Sequence, residues 1–178
     1  MLTRRHLLAA SALVAAGSAA GVAAVGWRWW DQRASLPYAI LSDDEAAIMD
    51  ALAEACFPSG GTPEMGGRAA GVSHYFDGVM EGLAPAQQRL LKLALHAVES
   101  LPLPTHGGYL TELSTADASD AVGSWLHSGN AEIRGVAQSL TLFVGMAWFS
   151  HPLVAPGVAE HFMCGYAGMG GLPDRMTR

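Results

Sequence analysis

The chain has 178 residues, of which 51% are hydrophobic and only 15% charged, against about 25% charged residues in an average soluble domain. This composition excludes a disordered polypeptide, and two cysteines exclude a disulfide-rich scaffold or a four-cysteine metal site built from this chain alone. A net charge of −6 with a single lysine argues against nucleic-acid binding.

The first thirty residues predict a targeting segment. Residues 7–26 contain no charge and are mostly Ala, Leu and Val, and a helix of that length would rise about 30 Å, enough to cross a membrane core. Arg4 and Arg5 stand just before the run, and residues 3–8 (TRRHLL) match the pattern of a twin-arginine export signal. The alternative is a plain membrane anchor in which both arginines are positive-inside residues.

Cleavage of this segment is left open by the sequence. Small residues from Ser18 to Ala24 permit a cut, but three tryptophans beside Arg28 are typical of an aromatic belt at a membrane surface. The chain is therefore expected in the periplasm, either released from the membrane or held at the inner membrane by residues 7–26. Residues 31–41, with Pro37, predict a linker to a domain over residues 42–178.

The exported part is acidic and predicts helices. From Asp31 onward it has seven basic and sixteen acidic residues, a net charge of −9. Ser42 and Glu45 form a capping-box pattern that begins a helix, and Pro58 ends it before a Gly/Pro loop over residues 58–71.

Apolar residues at helical spacing predict the remaining helices. These helices cover residues 70–83, from Pro85 to just before Pro102, from about Ser114 to Leu126, 131–149 and, more briefly, 158–166. In the second of them the predicted buried stripe comprises Leu90, Leu91, Ala94, Leu95 and Val98. No sustained strand alternation follows residue 31, so the predicted fold is all-α: a signal or transmembrane helix followed by a compact bundle of about five to six helices.

The sequence carries no motif for a bound cofactor or for catalysis. It lacks Cys-x-x-Cys-His for c-type haem, Gly-x-Gly-x-x-Gly after a strand, a phosphate-binding Gly-Lys-Ser/Thr, Gly-x-Ser-x-Gly and His-Glu-x-x-His. We therefore expect no catalytic residue, cofactor site or metal site in this chain.

The histidines offer one alternative. His74, Asp77 and Glu81 lie on one side of a predicted helix, which is interpreted as a solvated face. The alternative is a metal site that takes its further ligands from another helix. The other histidines are interpreted as surface or loop residues (His96, His106, His127, His161) and as a cation meeting the carbonyls of a helix end (His151).

Cys56 and Cys164 would face an oxidising compartment after export. A bridge between them would stabilise the fold by roughly 4 kcal/mol in the entropic account. Buried free thiols and pairing with another subunit are the alternatives.

The order of several short motifs resembles the gluconate 2-dehydrogenase subunit 3 family, the small subunits of membrane-bound, flavin-dependent sugar dehydrogenases. The motifs are the Thr3-Arg4-Arg5 signal, Leu41-Ser42, Cys56-Phe57-Pro58, Ala70-Gly71-Val72 with Tyr75-Phe76-Asp77, residues 148–152 (WFSHP), and Gly165-Tyr166. The resemblance implies a non-catalytic subunit that brings the export signal to a partner. That partner would be an FAD-carrying oxidoreductase of the glucose–methanol–choline type, often joined by a cytochrome c subunit with c-type haem.

Aromatic bulk beside a chain break suggests where a partner binds. The candidate interface residues are Trp148, Phe149, His151, Pro152 and Tyr166, although Trp148 and Phe149 are equally compatible with the core. Besides the flavoprotein, the expected partners are the twin-arginine translocase and the membrane. The alternative function is a stand-alone membrane-anchored helical enzyme or metal-binding protein.

Overall fold

The computed structural model describes residues 33–61 and 63–155, which form helices joined by loops. The helices are α1 Asp43–Cys56, α2 Val72–Glu81, α3 Pro85–Ser100, α4 Leu103–His106, α5 Thr115–Leu126 and α6 Ala131–Ser150, with a 3-10 turn at Leu110–Glu112. No strand occurs in these ranges, so the all-α prediction is confirmed there. The signal segment and the helix predicted over 158–166 lie outside them, and no helix within them has the length and apolarity to cross a membrane.

The helices begin where their capping residues predict. Ser42 accepts the Glu45 N–H at 3.2 Å and donates its own N–H to the Glu45 carboxylate at 2.9 Å, which completes a capping box. Asn130 caps α6 by accepting the Glu132 N–H at 2.8 Å, and Pro85 occupies the first turn of α3.

Helix α1 lies at the centre of the bundle and contacts α2, α3, α5 and α6. Its Met49 and Leu52 are fully buried, as are Phe76 of α2 and Leu140 of α6. Eight of the fourteen residues of α1 are buried, and four of these eight are alanines, so the helix is covered on most sides rather than along a single stripe.

Two details of α3 differ from the prediction. Leu90 is 66% exposed, whereas Leu95 and Val98 are fully buried. With about 100° between successive residues, Leu90 lies some 140° around the helix from Leu95, so the predicted stripe was wider than the contact that α3 makes. After α3 the chain also forms the one-turn α4 across Pro104 instead of leaving helical structure altogether.

Candidate partner interface

The predicted interface residues lie at the C-terminal end of α6, where Trp148 and Phe149 take different positions. Trp148 is 7% exposed; its ring stacks on Phe57 with centroids 4.1 Å apart, and its Nε1 donates to the Met65 carbonyl at 3.0 Å. Phe149 meets both rings edge-on and stays 42% exposed. Trp148 is therefore a buried residue that packs beneath the surface at the end of α6, and Phe149 forms part of that surface.

Of the other predicted interface residues, His151 and Pro152 directly follow α6. The Nδ1 atom of His151 accepts the Leu153 N–H at 3.2 Å. The interpretation of His151 as a cation at the helix end stays a prediction. Pro152 is exposed. Tyr166 lies outside the described residues.

The Gly/Pro loop after α1 holds Trp148 in place. Gly67 donates its N–H to the Phe57 carbonyl at 2.7 Å, and a Cβ at Gly67 would lie 2.0 Å from the Ala53 carbonyl oxygen. Only glycine allows the loop to pass so close to α1. This approach brings the Met65 carbonyl to the Trp148 ring.

An apolar groove runs along the outer side of α6 beside the aromatic stack. This α6 groove is lined by Phe57, Gln138, Thr141, Leu142, Gly145, Met146, Phe149 and Ser150. Leu142 and Met146 are 62% and 45% exposed, so large apolar side chains border the groove on the surface of the described chain.

A buried ionic cluster joins α1 to α3. The Glu45 carboxylate is fully buried and accepts from Lys92 Nζ at 2.6 Å, and it lies 3.3 Å from His96 Nε2. Burial would raise the pKa of Glu45, but the bonds from His96, Lys92 and Ser42 outweigh it and lower that pKa. The prediction that His96 is a surface residue is wrong, because its side chain is turned inward to this carboxylate.

Asp77 fixes the segment that precedes α1. Its carboxylate accepts the N–H groups of Ala39, Ile40 and Leu41 at 2.8–2.9 Å. Burial would raise the pKa of Asp77, yet these three donors hold it below the usual range. The solvated-face interpretation is therefore wrong for Asp77, which is 7% exposed.

The stripe of His74, Asp77 and Glu81 does not form one site. His74 is exposed and stacks on Tyr38 with ring centroids 4.7 Å apart, and Glu81 is exposed. Within residues 33–61 and 63–155, no three His, Cys, Asp or Glu side chains are grouped to hold a metal ion.

Cys56 is half-buried at the end of α1, and burial raises the pKa of its thiol to about 11. Cys164 lies outside the described part of the chain, so a bridge between the two stays a prediction.

Sequence analysis missed two long-range features, the ionic cluster around Glu45 and the close approach of Gly67 to α1. The only lysine of an acidic chain stands four residues before His96, a spacing that places both on one side of α3 and could have indicated a shared buried anion. The close approach of Gly67 to α1 had no signal beyond the glycine content of the loop.

The family model described as gluconate 2-dehydrogenase subunit 3 matches residues 43–159, about two thirds of the chain, and spans the six helices of the described residues. Comparison with curated proteins and with solved structures gives no significant match. The family resemblance seen in the motifs is thus confirmed by a match that covers the helices from α1 to α6. The chain belongs to the gluconate 2-dehydrogenase subunit 3 family.

Proposed function

We propose that this chain is the non-catalytic small subunit of a periplasmic, FAD-dependent sugar or gluconate-type dehydrogenase. The family match over residues 43–159, which include all of the described helices, is the observation that carries the proposal. In this account the flavoprotein of the glucose–methanol–choline type holds FAD and performs the chemistry, and a cytochrome c subunit with c-type haem joins the complex. The small subunit stabilises the flavoprotein and supplies its export signal.

The use of the buried charged groups supports a structural role. Glu45 and Asp77 are the two most deeply buried carboxylate residues of the described chain, and both are occupied by donors of the same chain. A general acid or base has to reach substrate from a cleft, and neither carboxylate is placed to do so.

The predicted twin-arginine signal supports the escort role. A flavoprotein folds around its cofactor before export, and the twin-arginine route moves folded proteins. Arg4 and Arg5 would therefore serve a partner that lacks a signal of its own.

Replacing Arg4 and Arg5 together with lysine tests this proposal. Lysine keeps the positive charge but lacks the planar guanidinium, so a loss of export would identify recognition of the arginine pair rather than of charge. The expected result is flavoprotein retained in the cytoplasm and loss of most periplasmic dehydrogenase activity. The control, Arg28→Lys, conserves charge in the same way outside the pair. Full periplasmic activity in the double variant would contradict the escort role.

A further inference from the structure

We propose that residues 35–40, here called the strap, form a closed loop that opens as a unit while the helices stay folded, and that Asp77 keeps this loop closed. Opening would lengthen the connection between the N-terminal segment and the bundle by up to about 20 Å. The strap would thus set how far the bundle can move from that segment, a property beyond the proposed escort function.

The two ends of the strap are held together by backbone bonds. Ser35 donates its N–H to the Leu41 carbonyl at 3.0 Å, and Tyr38 donates its N–H to the Ser35 carbonyl at 2.8 Å. Six fully extended residues span about 20 Å, so the closed strap folds that length into a loop whose ends are in contact. When the loop opens, the point at which the N-terminal segment leaves the bundle moves from Ser35 to Leu41.

The strap is attached to helix α2 through hydrogen bonds and one ring contact. The Asp77 carboxylate accepts the N–H groups of residues 39 and 40 at 2.8 and 2.9 Å. The Tyr38 hydroxyl lies 3.2 Å from Ser73 Oγ, and the Tyr38 ring stacks on His74. Because Ser73, His74 and Asp77 all belong to α2, the strap can close only when α2 is folded beside it.

Little buried surface opposes the opening of the strap. Of its six residues, three are exposed and three are half-buried, and Leu36 is 94% exposed. Leu41, in contrast, is fully buried beside the Ser42 cap of α1, so the helical core begins directly after the strap. Segments with few buried apolar contacts open at a lower free energy than the core of a domain, and we therefore expect the strap to open without α1.

Asp77 contributes most to closing the strap. Both of its carboxylate oxygens are used, Oδ2 by the N–H of residue 39 and Oδ1 by the N–H groups of residue 40 and Leu41. Hydrogen bonds to a charged group contribute more to stability than bonds between neutral groups, such as that between Tyr38 and Ser73. Removing the charge of Asp77 should therefore open the strap.

A connection of variable length suits a chain that is held at its N-terminus. In the proposed function a translocase or a membrane binds the segment before residue 31. A pull on that segment acts on the strap before it acts on α1, since the strap lies between the two in the chain. The strap would then extend while the helices and their core contacts stay in place.

Native-state hydrogen exchange of the full purified chain tests whether the strap opens by itself. The reporters are the four strap amides with a bonding partner, those of residues 35, 38, 39 and 40. They should exchange at a rate that low denaturant concentrations leave unchanged, whereas the buried α1 residues Met49 and Leu52 should exchange through global unfolding. Strap amides that exchange only through global unfolding would overturn the proposal.

Asp77→Asn tests whether this residue keeps the strap closed. All four amides should exchange about tenfold faster or more, as for lost bonds to a charged group. Ser35 and Tyr38 decide the result, because Asp77 accepts neither of their N–H groups. Faster exchange at residues 39 and 40 alone would show that the strap does not open as a unit and would overturn the proposal. The control is Glu81→Gln, an exposed carboxylate on the same helix, which should leave exchange unchanged.

Tyr38→Phe provides a second test that does not depend on the folding of Asp77→Asn. It removes only the bond to Ser73 and should speed the exchange of the same amides about fivefold, as for a neutral hydrogen bond. Unchanged exchange at residues 39 and 40 in this variant would contradict the opening of the strap as a unit.

The change in length is measured between spin labels on Ala34→Cys and Gly78→Cys, with Cys56 and Cys164 replaced by alanine. Both labelled positions are exposed, and a Cβ at Gly78 meets no atom within 4 Å. Adding Asp77→Asn should turn one short distance into a broad distribution that extends up to about 20 Å further. An unchanged distance would overturn the added reach. No flavoprotein takes part in these measurements, so their failure would leave the proposed function untouched.

Discussion

Glu45 combines two structural tasks that are usually assigned to different residues. Its carboxylate completes the capping box of α1 and also contacts the side chains of Lys92 and His96 on α3. Its pKa is lowered in the fold from an ordinary value of 4.5. A lowered pKa means that the carboxylate contributes stability above about pH 4.5 and that this contribution is lost as the pH falls through the folded-state pKa.

Replacing Glu45 with glutamine should therefore destabilise the domain in a pH-dependent way. Glutamine can still accept the Ser42 N–H, but it cannot neutralise Lys92. The expected loss is roughly 1–3 kcal/mol of unfolding free energy at pH 7, as for other charged hydrogen bonds, and it should shrink below about pH 4.5. Denaturant unfolding at several pH values measures this difference. The exposed first-turn Glu132→Gln is the control, and an equal loss at every pH would argue against the ionic role.

Asp77 acts through three backbone donors rather than through another charged side chain. In Asp77→Asn the amide would bring a donor towards these N–H groups, so we expect a loss of roughly 1–3 kcal/mol. Amide exchange should also become faster at residues 39–41. Hydrogen exchange of the variant, with exposed Glu81→Gln as the control, measures both effects; unchanged protection at Leu41 would contradict this role.

The contacts of these residues could not be predicted from sequence spacing. Glu45 and His96 are 51 positions apart, and Asp77 is 36 positions from Leu41. The capping-box pattern correctly predicted the contact between Glu45 and Ser42, but it gave no indication that Glu45 also contacts Lys92 and His96. Contacts between residues close in the sequence could be predicted, whereas contacts set by the packing of helices could not.

At the scale of secondary structure, the loop after α1 and helix α6 form one unit. Gly67 passes against Ala53, the Met65 carbonyl meets Trp148, and Trp148 stacks on Phe57. Caps and prolines predicted the helix boundaries well, because these signals are local. The orientation of α3 and the path of the loop depend on neighbouring helices, which explains the wrong prediction for Leu90.

Two glycine-to-alanine substitutions distinguish a glycine required by close packing from a glycine that only adds backbone freedom to a helix. Gly67→Ala would place a Cβ 2.0 Å from the Ala53 carbonyl oxygen, and the expected loss is about 1–3 kcal/mol or more, as for an overpacked core. Gly78→Ala within α2 meets no atom within 4 Å and should raise stability by up to about 1 kcal/mol.

Denaturant unfolding followed by tryptophan fluorescence compares the two glycine variants. The fluorescence of Gly67→Ala should also shift in the native state, since the loop contacts Trp148. Equal stability of the two variants would show that the loop can move away from α1 without penalty.

At the scale of the whole molecule, three properties occur together. An export segment is predicted at the N-terminus, the sequence that follows it is acidic, and an uncharged groove lies at the end of the longest described helix. The fold class and the family could be predicted because helical periodicity and motif order extend over most of the chain. The groove could not, because the sequence leaves both core and surface positions open for Phe149.

The most direct test of the account is purification of the full chain together with the flavoprotein subunit, followed by separation of the two. FAD and dehydrogenase activity should elute with the complex in a fixed ratio to the small subunit. After separation, the small subunit should retain neither flavin nor activity. A small subunit that oxidises sugar or gluconate by itself, or that never associates with a flavoprotein, would contradict the account.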